Sequence, residues 1–246
     1  MSLYADLLNQ LYSGYSPYNY VNVSDSDFGY PHTNIDVNVV EVLIKEFNPT
    51  SWLEIGSMLG NSAIKVADVA KSIGSDMDIV CVDPFTGDVN MWAWEHNLLM
   101  KNGWRFLKIV NGKPSIYDRF LANVKSAGHD SRIIPIPCTS IVGIKLLARL
   151  HSELRINELP SVIYLDSAHE AEETYLEVKK CWEFIPEGGI LFGDDWDWPA
   201  VSYDVCSFFD GVEGNTDNKN KLIKAKTPTN VIGPIVLYEN QWVVCK

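Results

Sequence analysis

The chain has 246 residues, 46% hydrophobic and 21% charged, with a formal net charge of −12. That length suits one large α/β domain with a filled core, and the acidic balance disfavours nucleic acid and anionic lipid surfaces as partners. No apolar run reaches the roughly 18 to 20 residues of a membrane span.

The N-terminal stretch MSLYADLLNQLYSGY lacks the basic flank and long apolar block of a signal peptide. It reads as a short amphipathic helix, and a cytoplasmic location is expected. Residues 1–48 form a helical and loop extension, a lid or a dimer contact. Residues 49–246 form a single domain with an insertion at about 84–114. Within the extension, the loop-like segment 12–34 carries Tyr12, Tyr15, Tyr18, Tyr20 and Tyr30. Five scattered cysteines without a C-x-x-C pair read as reduced thiols packed as small hydrophobes.

From residue 51 onward, short apolar runs (SWLEI, DIVCVD, RIIPIP, SVIYLD and GGILFGDD) alternate with segments of helical spacing. The helices are expected near 62–73, 115–127, 141–154, 170–184 and 199–209. In the fourth, Tyr175, Val178 and Trp182 mark the buried stripe, whereas Glu172, Glu173, Glu177, Lys179 and Lys180 cover the rest. Segment 211–221, GVEGNTDNKNK, reads as loop, and GPIVLYENQWVVCK as two closing strands, or a strand and its return, with a turn at Glu239-Asn240. Strands alternating with helices imply a Rossmann-like, doubly wound α/β fold. The expected sheet has seven strands, mostly parallel with a closing antiparallel strand, and helices on both faces. Ligands in such folds bind beyond the carboxyl ends of the strands.

The first strand runs into LEIGSMLGNS. Gly56 and Gly60 permit a tight turn and close approach of a ligand, and Asn61-Ser62 can cap the next helix. This spacing is not the G-x-G-x-x-G dinucleotide fingerprint, which disfavours a nicotinamide-dependent dehydrogenase. The second strand ends in Asp83, an acid placed to bind ribose hydroxyls. The third meets PCTS, where Ser140 stands at a helix start. The fourth ends in YLDSAHE, with Asp166 and His169, and the fifth in Asp194 and Asp195, with Asp197 beyond. Two unit charges about 4 Å apart repel by roughly 4 kcal/mol at an effective dielectric near 20. A hard divalent cation such as Mg²⁺ would relieve three converging carboxylates. Capping of the helix near Pro199 would account for one of them.

In this order and spacing, LEIGSMLGNS, the acid of CVDP, the hydroxyl of CTS, LDSAHE and GGILFGDDW resemble the class I S-adenosylmethionine-dependent methyltransferases. The chain is most similar to their metal-dependent O-methyltransferase group, which includes catechol O-methyltransferases and sugar methyltransferases similar to macrocin O-methyltransferase. The resemblance covers Ser51 to Phe209. It implies that Glu54, Gly56, Ser57, Gly60 and Ser62 wrap S-adenosylmethionine, that Asp83 binds its ribose, and that Ser140 lies near adenine. It implies Mg²⁺ or another divalent cation on Asp166, Asp194 and Asp195.

The catechol branch has a lysine base three residues after the first metal ligand. Here His169 takes that place, able to accept a proton from an acidified hydroxyl, with Asp166 beside it. Where relatives often pack an aromatic on adenine, this chain has Ala168. Trp92, Trp94 and Trp104 of the insertion offer an apolar wall to an acceptor, or a satellite core. The implied acceptor is a small hydroxylated molecule, a sugar or a phenolic diol, with no nucleic-acid or membrane partner and with homo-oligomerisation left open. Two alternatives stand beside this reading: a metal-independent methyltransferase of the same fold, and a non-catalytic cofactor-binding or interaction protein.

Overall fold

The computed structural model describes residues 2–27, 35–93, 107–167 and 169–246. Tyr30, Trp94, Trp104 and Ala168 lie outside them. Five parallel strands, β1 Ser51–Ile55, β2 Asp78–Asp83, β3 Ile133–Pro137, β4 Val162–Leu165 and β5 Ile190–Gly193, are followed by β6 Asn230–Ile232, β7 Ile235–Tyr238 and β8 Gln241–Cys245. They form one sheet in the order β3-β2-β1-β4-β5-β8-β7-β6, antiparallel from β8 onward. The α/β class and the parallel centre are as expected. The eighth strand is β6, a three-residue exposed edge piece too short to show a period.

The described helices are α1 Leu3–Tyr12, α2 Val37–Phe47, α3 Asn61–Ser72, α4 Val89–Ala93, α5 Ile116–Ser126, α6 Ser140–Ser152, α7 Glu173–Phe184, α8 Pro199–Phe209 and α9 Thr216–Ala225. The last lies in the stretch read as loop. It buries only Leu222 and is held at its start by the Asn215 side chain, which accepts from Asn218 N–H, so it has almost no apolar stripe to detect. Among the described residues no helix is long and apolar enough to cross a membrane.

Period-two alternation divides the core. Trp52, Ile79, Tyr164 and Phe192 face α2, α3 and α5, while Leu53, Val80, Ile163 and Leu191 face α1, α6, α7 and α8. The same alternation places Glu54 and Asp83 on the first of these faces. Helix α7 differs from expectation: Thr174, Glu177, Val178, Cys181 and Phe184 are buried, Tyr175 is exposed, and Glu177 is an inward carboxylate rather than a surface one. All five cysteines are free thiols, three of them buried.

The edge strand β3 contains two prolines, which cannot donate to a further strand. The N-terminal tyrosines complete its protection. Tyr18 Oη donates to the Ile133 carbonyl at 2.9 Å and Tyr12 Oη to the Pro135 carbonyl at 2.7 Å. Tyr15 and Tyr20 stay exposed. Of the tryptophans expected in the insertion, Trp92 is described. It is largely exposed, with its indole N–H donating to the Thr86 carbonyl at 2.8 Å.

Candidate functional site

The strand order reverses between β1 and β4, and the residues after these strands meet there. Gly56 N–H bonds to the Val82 carbonyl at 3.0 Å, Asp166 N–H to Ile55 at 2.9 Å, and Asp194 N–H to Leu165 at 3.2 Å. The ladder thus continues one step past each strand and lines up the loops. Gly56 has φ +89°, and a Cβ on it would overlap the Asp166 carbonyl, so the contact between the β1 turn and the end of β4 requires glycine.

Around that contact lie two groups of acids. The first belongs to β1 and β2. Glu54 is fully buried, and the Ser62 hydroxyl donates to its Oε1 at 2.8 Å. Burial, with a contribution from Asp83, pushes its carboxyl up to about 7 against the pull of Ser62. Ser62 therefore does not cap α3. The N-cap is Gly60, at φ +84°, and no side chain bonds there. Asp83 accepts Met58 N–H at 2.8 Å and also Phe85 N–H. Burial raises its pKa against these donors. It braces the glycine turn from the neighbouring strand. Neither the Ser57 hydroxyl nor Glu54 Oε2 has a close hydrogen bond, although Ser57 stands near enough to draw the Glu54 carboxyl down, so the turn keeps polar atoms for a ligand. That suits the cofactor-holding role expected of Glu54, Gly56, Ser57, Gly60, Ser62 and Asp83.

The second group follows β4 and β5. One ligand atom each from Asp166, His169 and Asp195 lies within 4.8 Å of the others. His169 Nε2 is 2.7 Å from Asp195 Oδ2, and its ring stands 5.4 Å from that of Trp198. Asp195 has φ +57°, a left-handed value that aspartate tolerates better than most residues. The turn it makes brings Asp194 and Asp195 into one cleft, where an extended strand would have pointed them apart. Neither caps α8, whose N-cap is Trp198 with no side-chain bond. Capping is thereby removed as an account of the pair. Asp197 is exposed, its N–H donating to Asn240 Oδ1 at 2.7 Å.

Asp194 sits behind this trio, 5% exposed, with Oδ1 buried and free of hydrogen bonds. Burial and then the charge of Asp195 push it up to about 6. Burial, Asp195 and Asp194 raise Asp166 well above the carboxylate range. Burial pulls His169 down, but the hydrogen bond and charge of Asp195, followed by Asp166, lift it to about 9. Three acids with one histidine and an orphaned carboxylate oxygen make a donor set that fits a hard divalent cation.

Ser140 falls in neither group. It opens α6 half-buried behind the N-cap Thr139, with its hydroxyl toward Glu177. Glu177 also accepts from Ser167 Oγ at 2.6 Å and so ties α6 and α7 to the loop holding Asp166. The charge of Glu177 suggests solvent, but the residue shares a buried helix face with Thr174, Val178 and Cys181. Tyr164, two positions before Asp166 and therefore on the same side of the strand, carries no motif that would single it out.

A family model described as a methyltransferase domain matches residues 53–196, more than half of the chain and inclusive of both acid groups. No curated protein matches the sequence. Solved structures of similar fold include CalS11, a calicheamicin methyltransferase (14% identity, covering 85% of this chain and 78% of that one, TM-score 0.51). Others are the O-methyltransferase from Bacillus cereus in complex with SAH (12%, 100% and 92%, 0.50) and cofactor-bound Rv0187 from MTB (12%, 97% and 93%, 0.50). At such identities the likeness is one of fold.

Proposed function

The chain belongs to the methyltransferase-domain family, and from that premise we propose that it methylates a hydroxyl of a small acceptor carrying neighbouring oxygens, a sugar or a phenolic diol, using S-adenosylmethionine and a divalent cation. The observation that supports this best is the junction at the switch point, where the glycine turn packs through Gly56 directly on the carbonyl of Asp166. An oxygen acceptor also agrees with the name of the Bacillus cereus neighbour.

Glu54, Gly56, Ser57, Gly60, Ser62 and Asp83 would hold the methionine and ribose parts of the cofactor, with Ser140 toward adenine. S-adenosylmethionine, when bound, supplies an electrophilic methyl group. Asp166, Asp194 and Asp195 would hold the cation, which supplies the positive charge that acidifies a nearby hydroxyl. His169 donates Nε2–H to Asp195 and so presents Nδ1 as the atom that takes the acceptor's proton. In the field of uncompensated carboxylates it stays protonated to about pH 9. Compensation of those charges returns it toward the ordinary histidine range and makes it a base at neutral pH. The lining of the cleft fixes the geometry of approach, where much of the rate enhancement of such transfers originates.

We propose a cytoplasmic location, with a small-molecule partner and no nucleic acid. Its test is methyl transfer to a vicinal diol before and after chelation. Activity is expected to vanish in EDTA and return with Mg²⁺. Full activity in EDTA, or in an Asp194→Asn/Asp195→Asn variant, would remove the cation from the mechanism. A metal-independent methyltransferase is the second reading, favoured by the 2.7 Å His169–Asp195 pair, which neutralises one carboxylate without an ion. Calorimetric titration of Mg²⁺ with and without SAH separates the two.

A further inference from the structure

Beneath the acid cluster lies a side chain with no assigned role. Tyr164 is completely buried in β4. Its ring packs beside those of Phe192 and Trp52, with centroids 4.8 and 6.5 Å away. Its hydroxyl is 3.3 Å from Asp166 Oδ2 and 3.2 Å from Asp194 Oδ2. A phenol has one proton to donate, and here it faces two carboxylates on adjacent strands at nearly equal distance. Its one proton is shared between Oδ2 of the two, while Oδ1 of Asp194 is buried without a close hydrogen bond. Elsewhere the hydroxyls of Tyr12, Tyr18 and Tyr238 donate to backbone carbonyls. Tyr164 instead points to the two aspartates that converge from separate loops.

We propose that Tyr164 is a positioning residue for the divalent cation site: its hydroxyl holds Asp166 and Asp194 in register from behind, leaving their other oxygens to the ion. This rests on the cation reading above and deepens it. Outer hydrogen bonds of this kind fix the ligating carboxylates, and their loss costs about 10- to 100-fold in metal affinity.

The test uses the full chain with Mn²⁺ as a paramagnetic probe, its binding followed by calorimetry and by the loss of the free-ion electron paramagnetic resonance signal. Tyr164→Phe removes one oxygen and keeps the ring. It is expected to weaken Mn²⁺ binding at least 10-fold, with SAH affinity unchanged. In an Asp194→Asn background the same substitution should change Mn²⁺ affinity less, because one of the two carboxylates through which Tyr164 acts is gone. Phe192→Leu disturbs the same aromatic cluster without touching the acids. It should lower the melting temperature and leave Mn²⁺ affinity in place, so it reports on the proposal even where Tyr164→Phe folds poorly. Equal Mn²⁺ affinity in Tyr164→Phe and the unaltered chain overturns the proposal. So does an equal loss in Phe192→Leu, which would make the effect one of packing. Failure of the unaltered chain to bind Mn²⁺ would instead remove the cation reading itself.

Discussion

The two acid groups at the mouth of the sheet share a residue type, a place in the topology and pKa values raised by burial, yet they draw on different donors. Asp83 has two backbone N–H donors and Glu54 a serine hydroxyl. Asp166 and Asp195 meet one phenol and one histidine, and Asp194 meets the same phenol together with the Asp195 N–H and the Gln241 side chain. The two groups thus differ in which donors hold them, backbone and serine groups of the glycine turn for the first and mainly side chains from other elements for the second, within a few residues of the same switch point.

The sharpest way to break this contrast is Asp166→Asn. Methyl transfer should fall about 1000-fold, or roughly 4 kcal/mol of transition-state stabilisation, with SAH affinity within a few-fold of the unaltered chain. A comparable loss of SAH affinity would mean that the two groups are one. Gly56→Ala attacks the junction between them. The overlap with the Asp166 carbonyl, added to a positive φ, should cost about 3 kcal/mol or more by denaturant unfolding and weaken SAH and Mg²⁺ binding together.

The pH dependence of stability distinguishes the groups in another way. Glu54 is raised to about 7 from 4.5. The folded chain therefore holds this proton more tightly than the unfolded one. The associated stability is fully present below about pH 4.5 and is lost as pH rises through 7, by about 3 kcal/mol. Asp194, raised to about 6 from 3.8, acts in the same direction over a lower window. Glu54→Gln should flatten the first loss, and saturating Mg²⁺ only the second. Unfolding curves at pH 5 and 8, with and without the ion, measure both. A Mg²⁺ effect that disappears in Glu54→Gln would contradict the separation. The smallest change is Ser62→Ala, which removes the donor of Glu54. A loss of about 1 kcal/mol is expected, with Mg²⁺ affinity untouched.

Much of this was legible in the chain. The runs SWLEI, DIVCVD and GGILFGDD contain buried parallel strands, and Asp83, Asp166 and the Asp194-Asp195 pair stand at strand ends as the pattern of runs implies. Glu177 was misread because a charge outweighed a helical period. Helix α9 went unseen because it buries one residue, and Ser62 was read as a cap when its hydroxyl turns to the strand behind it.

The sequence by itself determined the alternation of strands and helices and the residue types at each strand end, because these follow from local periods of two and 3.6. Only the tertiary structure decided which donor each acid meets. His169 reaches Asp195, Tyr164 stands between Asp166 and Asp194, and Tyr12 and Tyr18 guard β3. Most of these pairs are far apart along the chain. The acids meet their donors because the parallel register of β4 and β5 and the left-handed turn at Asp195 bring them together, whereas Tyr12 and Tyr18 reach β3 because the N-terminal segment packs along that edge.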